Sequence, residues 1–130
     1  MIDTFVGYIQ AKSFGNYYLP VRFQNKLIKE YSESKKKIFT LPQGEPYFSK
    51  THIRLRTMLS KIKKNEALVL MSIFMFPENL VVRNPILNLI KKKNIEVHFL
   101  FENKKIIGGK NIDIIREFFF YNSFFKSNKK

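Results

Sequence analysis

The sequence predicts a three-layer α/β domain, with a four-stranded, mostly parallel sheet and helices on both faces. Residues 68–76 contain one polar side chain, Ser72, before Pro77 ends the run, and such a stretch is typical of a strand buried on both faces. Three other short β-prone segments alternate with helical patterns, which indicates parallel strands joined by right-handed crossovers. A chain of 130 residues with 45% hydrophobic side chains is long enough for one core.

The first half of the chain predicts two strand–helix units. Their parts are a strand over 4–10, a loop over 11–20, a helix over 21–34 that Pro20 opens, a strand over 37–41, a loop over 42–46 and a helix from about Ser49 or Lys50. The first helix has an apolar stripe of Phe23, Leu27, Ile28 and Tyr31. The second helix has a predicted buried face of Ile53, Leu55, Met58, Leu59 and Ile62.

The second half predicts two more strands and two more helices. They are a strand over 67–75, a loop over 77–84, a helix with Pro85 in its first turn, a strand over 95–101, a turn at Gly108-Gly109 and a helix over 113–122. The strand over 95–101 alternates polar and apolar residues, so we expect it near an edge of the sheet. The expected domain is 1–122, with a charged, frayed tail over 123–130.

Composition limits the compartment and the class of protein. The absence of cysteine excludes disulfides and thiolate metal sites. The N-terminus resembles no secretory signal, and no apolar run reaches the roughly 18 residues of a membrane-spanning helix. We therefore expect a cytoplasmic protein with no membrane span.

The net charge of +14 has two interpretations. It is an electrostatic footprint for nucleic acid or for a phosphorylated ligand, or it reflects the codon bias of an AT-rich genome. The lysine runs at 35–37, 63–64 and 91–93 fall at predicted helix ends, where cations complement the helix dipole. This placement favours the second interpretation, and nucleic acid is the less favoured partner.

Ligands of open α/β sheets bind at the carboxyl ends of the strands, so we expect a site in the loops that follow the strands. The polar residues there are Gln10, Lys12, Ser13, Asn16, Tyr17, Arg22, Gln24, Asn25, Glu45, Tyr47, Glu78 and Glu102. Glu45 with Glu78 or Glu102 is a possible acid–base pair. Ser72, His98 and Glu102 form an alternative nucleophilic set, although no GxSxG motif frames the serine. The glycines match no phosphate-binding loop and the two histidines match no metal motif, so no cofactor or metal is predicted.

Aromatic residues are concentrated near the C-terminus. They are Phe118, Phe119, Phe120, Phe124 and Phe125. Five aromatic rings cannot all face inward from one helix, so a homodimer contact through this helix is a further expectation.

The order of elements resembles the catalytic domain of serine recombinases over residues 6–102, including Gly7-Tyr8 in the first strand. That resemblance implies a resolvase-like topology, with a flavodoxin-like one as the alternative. It does not imply recombination. Gln10 and Lys12 occupy the positions of that family's arginine and serine nucleophile, and residues 75–77 replace its Asp-Arg pair.

A second resemblance, to the bacterial "sporadic carbohydrate cluster" family, rests on short motifs in order. They are Gly7-Tyr8-Ile9, Pro20, Arg22, Gln24-Asn25, residues 28–31, Glu45, Leu55, Ser72-Ile73-Phe74, Phe76-Pro77-Glu78, Arg83 and His98-Phe99 with Glu102. Val21, Pro46 and His52 depart from the family's pattern. Members are typically encoded among genes for surface polysaccharide synthesis, and no molecular activity is established for them.

The second resemblance implies a role in surface-carbohydrate synthesis, acting on a phosphorylated or nucleotide sugar. The alternatives are a nucleic-acid-binding domain without recombinase activity and a non-catalytic oligomeric scaffold. The candidate catalytic residues are Glu45, Glu78, His98 and Glu102. The candidate ligand-binding residues are Tyr8, Arg22, Gln24, Asn25 and Ser72.

Overall fold

The computed structural model describes residues 1–15, 17–45 and 51–127, with side chains as far as residue 124. The strands are β1 (Thr4–Gln10), β2 (Ile38–Phe39), β3 (Gln43–Glu45), β4 (Glu66–Leu70), β5 (Glu96–Phe99) and β6 (Lys104–Ile107). The helices are α1 (Val21–Ser34), α2 (Ile53–Lys61), α3 (Leu80–Lys93), α4 (Gly108–Asn111) and α5 (Asp113–Ser127), with a 3₁₀ turn at Ile73–Met75. The predicted helix start at Ser49 or Lys50, and the loop residues Asn16 and Tyr47, lie outside the described residues.

The sheet has six strands rather than the four predicted. Its order is β2-β1-β4-β5-β6, and β3 pairs with β1 beyond the end of β2. All pairs are parallel except β5 with β6. β3 lies in the predicted loop 42–46, because pairing with β1 overrides the loop composition. β6 follows β5 through a turn in which Asn103 has φ 52°, and its Lys-Lys-Ile-Ile sequence has no strand alternation.

Helices lie on both faces, as predicted. One face of the sheet packs on α1. Phe5 on this face stacks on Tyr31, and a Cβ at Gly7 would meet Ile28 and Pro42. Strand register places Val69 and His98 on the same face as Gly7. The alternate residues face α2 and α3. Helix α1 has the predicted bounds, but its buried face consists of Gln24, Ile28 and Ser32, while Phe23 and Leu27 are exposed. Two polar residues, Gln24 and Ser32, are therefore buried, in place of the two apolar residues predicted. Helix α2 buries Leu55, Met58 and Leu59 as predicted and exposes Ile53.

The strand predicted over 67–75 ends early. β4 stops at Leu70, and Ser72 lies after the strand, where its hydroxyl accepts a hydrogen bond from Phe74 N and opens the 3₁₀ turn. The apolar residues of the 3₁₀ turn pack into the core. Their hydrophobicity therefore reflects burial in a turn and not a continuation of the strand. The prediction that Ser72 lies inside a strand is therefore wrong, whereas His98 lies within β5 as predicted.

The later helices also differ in their bounds from those predicted. α3 begins at Leu80, capped by the Asn79 side chain, and continues through Pro85. Gly108-Gly109 forms the start of α4 rather than a turn, and a Cβ at Gly108 would collide with the carbonyl oxygen of Ile90. α5 continues to Ser127, five residues past the predicted end. No helix in the described part of the chain is long and apolar enough to cross a membrane.

Candidate functional site

Glu45 is bonded to neighbouring elements at the carboxyl end of β1. Its carboxylate accepts hydrogen bonds from Tyr8 Oη at 3.0 Å, Arg54 N at 2.9 Å and Leu55 N at 3.2 Å. The last two are free N–H groups in the first turn of α2, so Glu45 supplies the cap that helix termini require. Burial, followed by the nearby Glu45 charge, raises the pKa of Tyr8, which therefore stays a neutral donor. These contacts join β1, β3 and α2.

Gln24 completes the end of β1 from α1. Its amide nitrogen donates to Gln10 O at 2.8 Å and to Leu19 O at 2.7 Å, and its amide oxygen accepts from Gln10 N at 3.2 Å. The side chain is fully buried. All of its described hydrogen bonds go to backbone groups, so it acts as a substitute for a neighbouring strand.

Ser72 and Glu102 form a third network, after β4 and β5. Ser72 Oγ donates to Glu102 Oε2 at 2.8 Å, and Glu102 Oε1 accepts from Ile73 N at 2.9 Å. His98 does not take part, because its two ring hydrogen bonds go to other residues. The predicted set of Ser72, His98 and Glu102 is therefore not assembled, and no described hydrogen bond joins Glu45 to Glu102.

The other predicted residues lie near the same edge or outside it. Arg22 is exposed, with its guanidinium 5.1 Å from the Phe23 ring centroid. Asn25 is half-buried, and its Oδ1 has no hydrogen-bond partner among the described residues. Glu78 lies beside Arg83, whose guanidinium donates to the carbonyl oxygens of Pro77 and Glu78 and covers the Phe119 ring. Arg83 thereby closes the loop that enters α3.

His98 lies on the α1 face, away from this edge. Its Nδ1 is 2.7 Å from the Tyr31 hydroxyl, and its Nε2 is 2.7 Å from Glu96 Oε2. The Phe5 ring packs against the imidazole at 4.8 Å between centroids. An ionised carboxylate only accepts hydrogen bonds, so Nε2 carries the proton and Nδ1 accepts from the Tyr31 hydroxyl.

Burial sets the charge state of this group. It lowers the pKa of His98, although the hydrogen bond and the charge of Glu96 act in the opposite direction. Lys105 and Lys35 lower that pKa slightly further. His98 is therefore a neutral base at pH 7. Burial and, second, the Glu96 charge raise the pKa of Tyr31, which keeps its proton.

The three side chains border a cavity of about 950 Å³ between α1 and the β5–β6 hairpin. We call this cavity the α1 cleft. Leu27, Phe5 and Leu100 form part of its apolar lining. Lys35, Lys104 and Lys105 also line it, and Lys35 Nζ lies 5.7 Å from the Tyr31 ring centroid. An apolar cavity of this size with a few convergent polar groups and excess positive charge suits a small anionic ligand.

Tyr31 and Glu96 were not predicted as site residues. The sequence pattern assigns Tyr31 to the apolar stripe of α1, and that pattern carries no information about the partner of its hydroxyl. Glu96 and His98 alternate along β5, so they share a face, and that signal was present in the sequence. Within the described residues, no group of three or more His, Asp or Glu side chains could hold a metal ion.

Comparison with solved structures finds the same fold elsewhere. The chain is similar to the N-terminal catalytic domain of TP901-1 integrase, with a TM-score of 0.57 over 96% of this chain and 99% of that one. The sequence identity is 14%, so the similarity shows the fold alone. It confirms the resolvase-like topology predicted from the order of elements. No protein-family model and no curated protein matches the sequence.

Proposed function

We propose that the protein binds a phosphorylated or nucleotide sugar in the α1 cleft, as a cytoplasmic accessory protein or enzyme of surface-carbohydrate synthesis. The observation that carries the proposal is the α1 cleft itself, where the Tyr31–His98–Glu96 group meets four lining lysines, Lys35, Lys37, Lys104 and Lys105. Neutral side chains with free lone pairs accept hydrogen bonds from sugar hydroxyls, and lysines attract phosphate. The class of ligand comes from the resemblance to the carbohydrate-cluster family.

The α1 cleft is a better binding site than the carboxyl edge of the sheet. Glu45, Gln24 and Ser72 each direct hydrogen bonds to protein groups that would lose them if a ligand intervened. Tyr31, by contrast, is only partly buried and lines an open cavity. A ligand there can be bound without breaking a backbone contact.

Calorimetric titration against a panel of sugar phosphates and nucleotide sugars tests this proposal. We expect at least one to bind, and we expect the K35Q/K105Q variant to bind it about thirtyfold more weakly, since each lysine contributes roughly 1 kcal/mol toward phosphate. K63Q/K64Q, which removes two exposed lysines outside the α1 cleft, is the matched control and should bind normally. Absence of heat across the panel, from a folded sample, would overturn the proposal.

A second candidate function, nucleic-acid binding without recombination, is supported by the distribution of lysines. Helices α1, α2 and α3 each return to the amino edge of the parallel sheet, and each ends there in a lysine run. The run members are Lys35, Lys36, Lys37, Lys61, Lys63, Lys64, Lys91, Lys92 and Lys93. Lys37 and Lys93 donate to backbone carbonyl oxygens, and the other seven are exposed. The similarity in fold to an integrase catalytic domain also favours this candidate.

Fluorescence anisotropy with duplex DNA at low salt tests the second candidate. Neutralising Lys63 and Lys64 together should reduce both affinity and its salt dependence, because each phosphate contact releases counterions. The matched control neutralises Lys26 and Lys29, which are exposed along α1. Equal loss in both variants would mean that only net charge matters, and no binding at low salt would remove this candidate.

Self-association through α5 is a further proposal about partners. Phe120, Tyr121 and Phe124 are each more than half exposed on this helix. Exposed aromatic clusters mark contact surfaces more often than scattered apolar residues do. Sedimentation velocity should show a dimer that F120S/F124S dissociates, and a monomer at all concentrations would exclude it.

A further inference from the structure

Tyr31, His98 and Glu96 form a linear chain of two short hydrogen bonds. The chain begins at the α1 cleft with the Tyr31 hydroxyl and ends at the Glu96 carboxylate on β5. His98 is 6% exposed, and the Phe5 and Tyr31 rings hold its plane. This order of hydroxyl, imidazole and carboxylate is the arrangement that activates a nucleophilic hydroxyl, with a phenol in place of an aliphatic alcohol.

The direction of each hydrogen bond fits that role. Glu96 accepts from Nε2–H, which fixes the tautomer and leaves the Nδ1 lone pair directed at the Tyr31 hydroxyl. His98 is neutral at pH 7, so it is free to take a proton. A phenol is a far stronger acid than a serine hydroxyl, so its proton is easier to remove as a new bond forms.

The charges around Tyr31 indicate the class of electrophile. Lys35 lies over its ring, and Lys35 and Lys105 are close enough to act on His98. Two cations beside a nucleophile stabilise the charge that builds on phosphoryl oxygens during transfer. A carbon electrophile without an anionic group would gain no such stabilisation from these two cations.

We propose that Tyr31 is a nucleophile that attacks a phosphoryl group of the bound ligand, with His98 as general base and Glu96 as a positioning residue. A bond forms between Tyr31 Oη and phosphorus, and the bond from phosphorus to the leaving oxygen breaks. The proton moves from Oη to His98 Nδ1 and then to the leaving oxygen, so no further reactant is needed. The proposal rests on the proposed function for the ligand class alone.

Covalent labelling tests the reactivity of Tyr31 without knowledge of the substrate. The probe is 4-(fluorosulfonyl)benzoate, an anionic sulfonyl fluoride. A Tyr31–sulfur bond would form as fluoride leaves and the proton moves to His98. Peptide mass spectrometry at pH 7.5 compares Tyr31 with Tyr17, Tyr18 and Tyr121, which are all more exposed. We expect Tyr31 to react at least about a hundredfold faster, the low end of a general base's contribution.

Variants separate activation from simple access. H98N and H98Q should each reduce the labelling of Tyr31 to the rate of the exposed tyrosines, and Y31F should abolish it. E96Q should reduce labelling in part and shift the ¹⁵N resonances of His98 away from the Nε2–H tautomer, which a purely packing role would not do. If the histidine variants fail to fold, the comparison among tyrosines in the unmodified protein still decides. Labelling of Tyr31 no faster than the exposed tyrosines would overturn the proposal.

The titration described above separates this proposal from the proposed function. Calorimetry of the unmodified protein reports binding, and labelling of the same sample reports the reactivity of Tyr31. If a sugar phosphate binds but Tyr31 is unreactive, the binding function stands and the nucleophile is wrong. If Tyr31 is selectively reactive but no sugar phosphate binds, the class of ligand is wrong and the activated phenol stands.

Discussion

The carboxyl edge of the sheet and the α1 cleft contain similar side chains in different kinds of contact. At the carboxyl edge, Glu45 and Gln24 form five of their six hydrogen bonds to backbone groups of neighbouring elements. In the α1 cleft, the bonds of His98 join it to two other side chains. The first arrangement satisfies backbone groups at the ends of helices and strands. The second holds polar side chains at the wall of a cavity.

The difference separates architecture from chemistry. When a side chain serves a backbone group, its removal leaves a buried donor or acceptor that no water easily reaches. When a side chain bonds to another side chain beside a cavity, water can take over the hydrogen bond that its removal leaves open. We therefore expect substitutions at the carboxyl edge to reduce the free energy of unfolding, and substitutions in the α1 cleft to act mainly on binding and reactivity.

The largest expected effect is at Glu45. E45A leaves the buried Tyr8 hydroxyl and two N–H groups of α2 without an acceptor, so the free energy of unfolding should fall by about 3–4 kcal/mol. E96A in the α1 cleft should cost about 1 kcal/mol, because Glu96 is half-buried and water reaches its site. Urea denaturation of both variants measures the difference. Equal losses would break the distinction between the two regions.

A smaller effect is expected at Gln24. Q24A leaves the N–H and carbonyl groups at the end of β1 unsatisfied and opens a cavity, at a cost of about 2–3 kcal/mol. N25A is the matched control one residue along α1. It removes a buried oxygen that has no partner among the described residues, so its stability should be unchanged or slightly higher. Thermal unfolding of the two variants checks the contrast, which a stability loss in N25A would contradict.

The sequence predicted well where local pattern and tertiary contacts agree. β1 and α1 have their predicted bounds because a short β-prone segment precedes a loop and Pro20 opens the helix. β3 was missed because the pairing of Gln43–Glu45 with β1 is a long-range contact that Pro and Gly obscure. β4 was predicted too long because a buried 3₁₀ turn is as apolar as a buried strand.

The topology predicted where the site residues lie, but not which hydrogen bonds they form. The rule for strand ends brought Glu45 and Glu102 to one edge, but hydrogen bonds to backbone groups cannot be read from residue types. His98 was identified, yet its partner Tyr31 is 67 residues away along the chain. Only the packing of α1 on Phe5 brings that hydroxyl to the imidazole. Spacing within one strand indicated Glu96, and nothing local indicated Tyr31.

The smallest expected effect is on the pH dependence of stability, and it compares one histidine from each region. His52 occupies the N-cap position of α2 at the carboxyl edge, and His98 lies in the α1 cleft. Burial is the main cause that lowers the pKa of both histidines. The unfolded chain takes up these protons near pH 6.5, while the folded chain takes them up only at lower pH. The unfolded state therefore binds more protons in that interval, and stability must fall as the pH is lowered through it.

Each histidine has neighbours that act on its pKa in both directions. Glu45 raises the pKa of His52 while Lys12 and Arg56 lower it, and Glu96 raises the pKa of His98 while Lys105 and Lys35 lower it. Urea denaturation at pH 7 and at about pH 5.5, below the usual pKa of histidine, should show H52N and H98N each losing less stability than the unmodified protein. H52N tests the carboxyl edge, since asparagine tolerates the left-handed conformation with φ 53° at this position. If only H98N reduces the pH dependence of stability, His98 is the histidine whose protonation destabilises the fold. The protonation state of the α1 cleft would then be coupled to stability, which contradicts the division between the two regions.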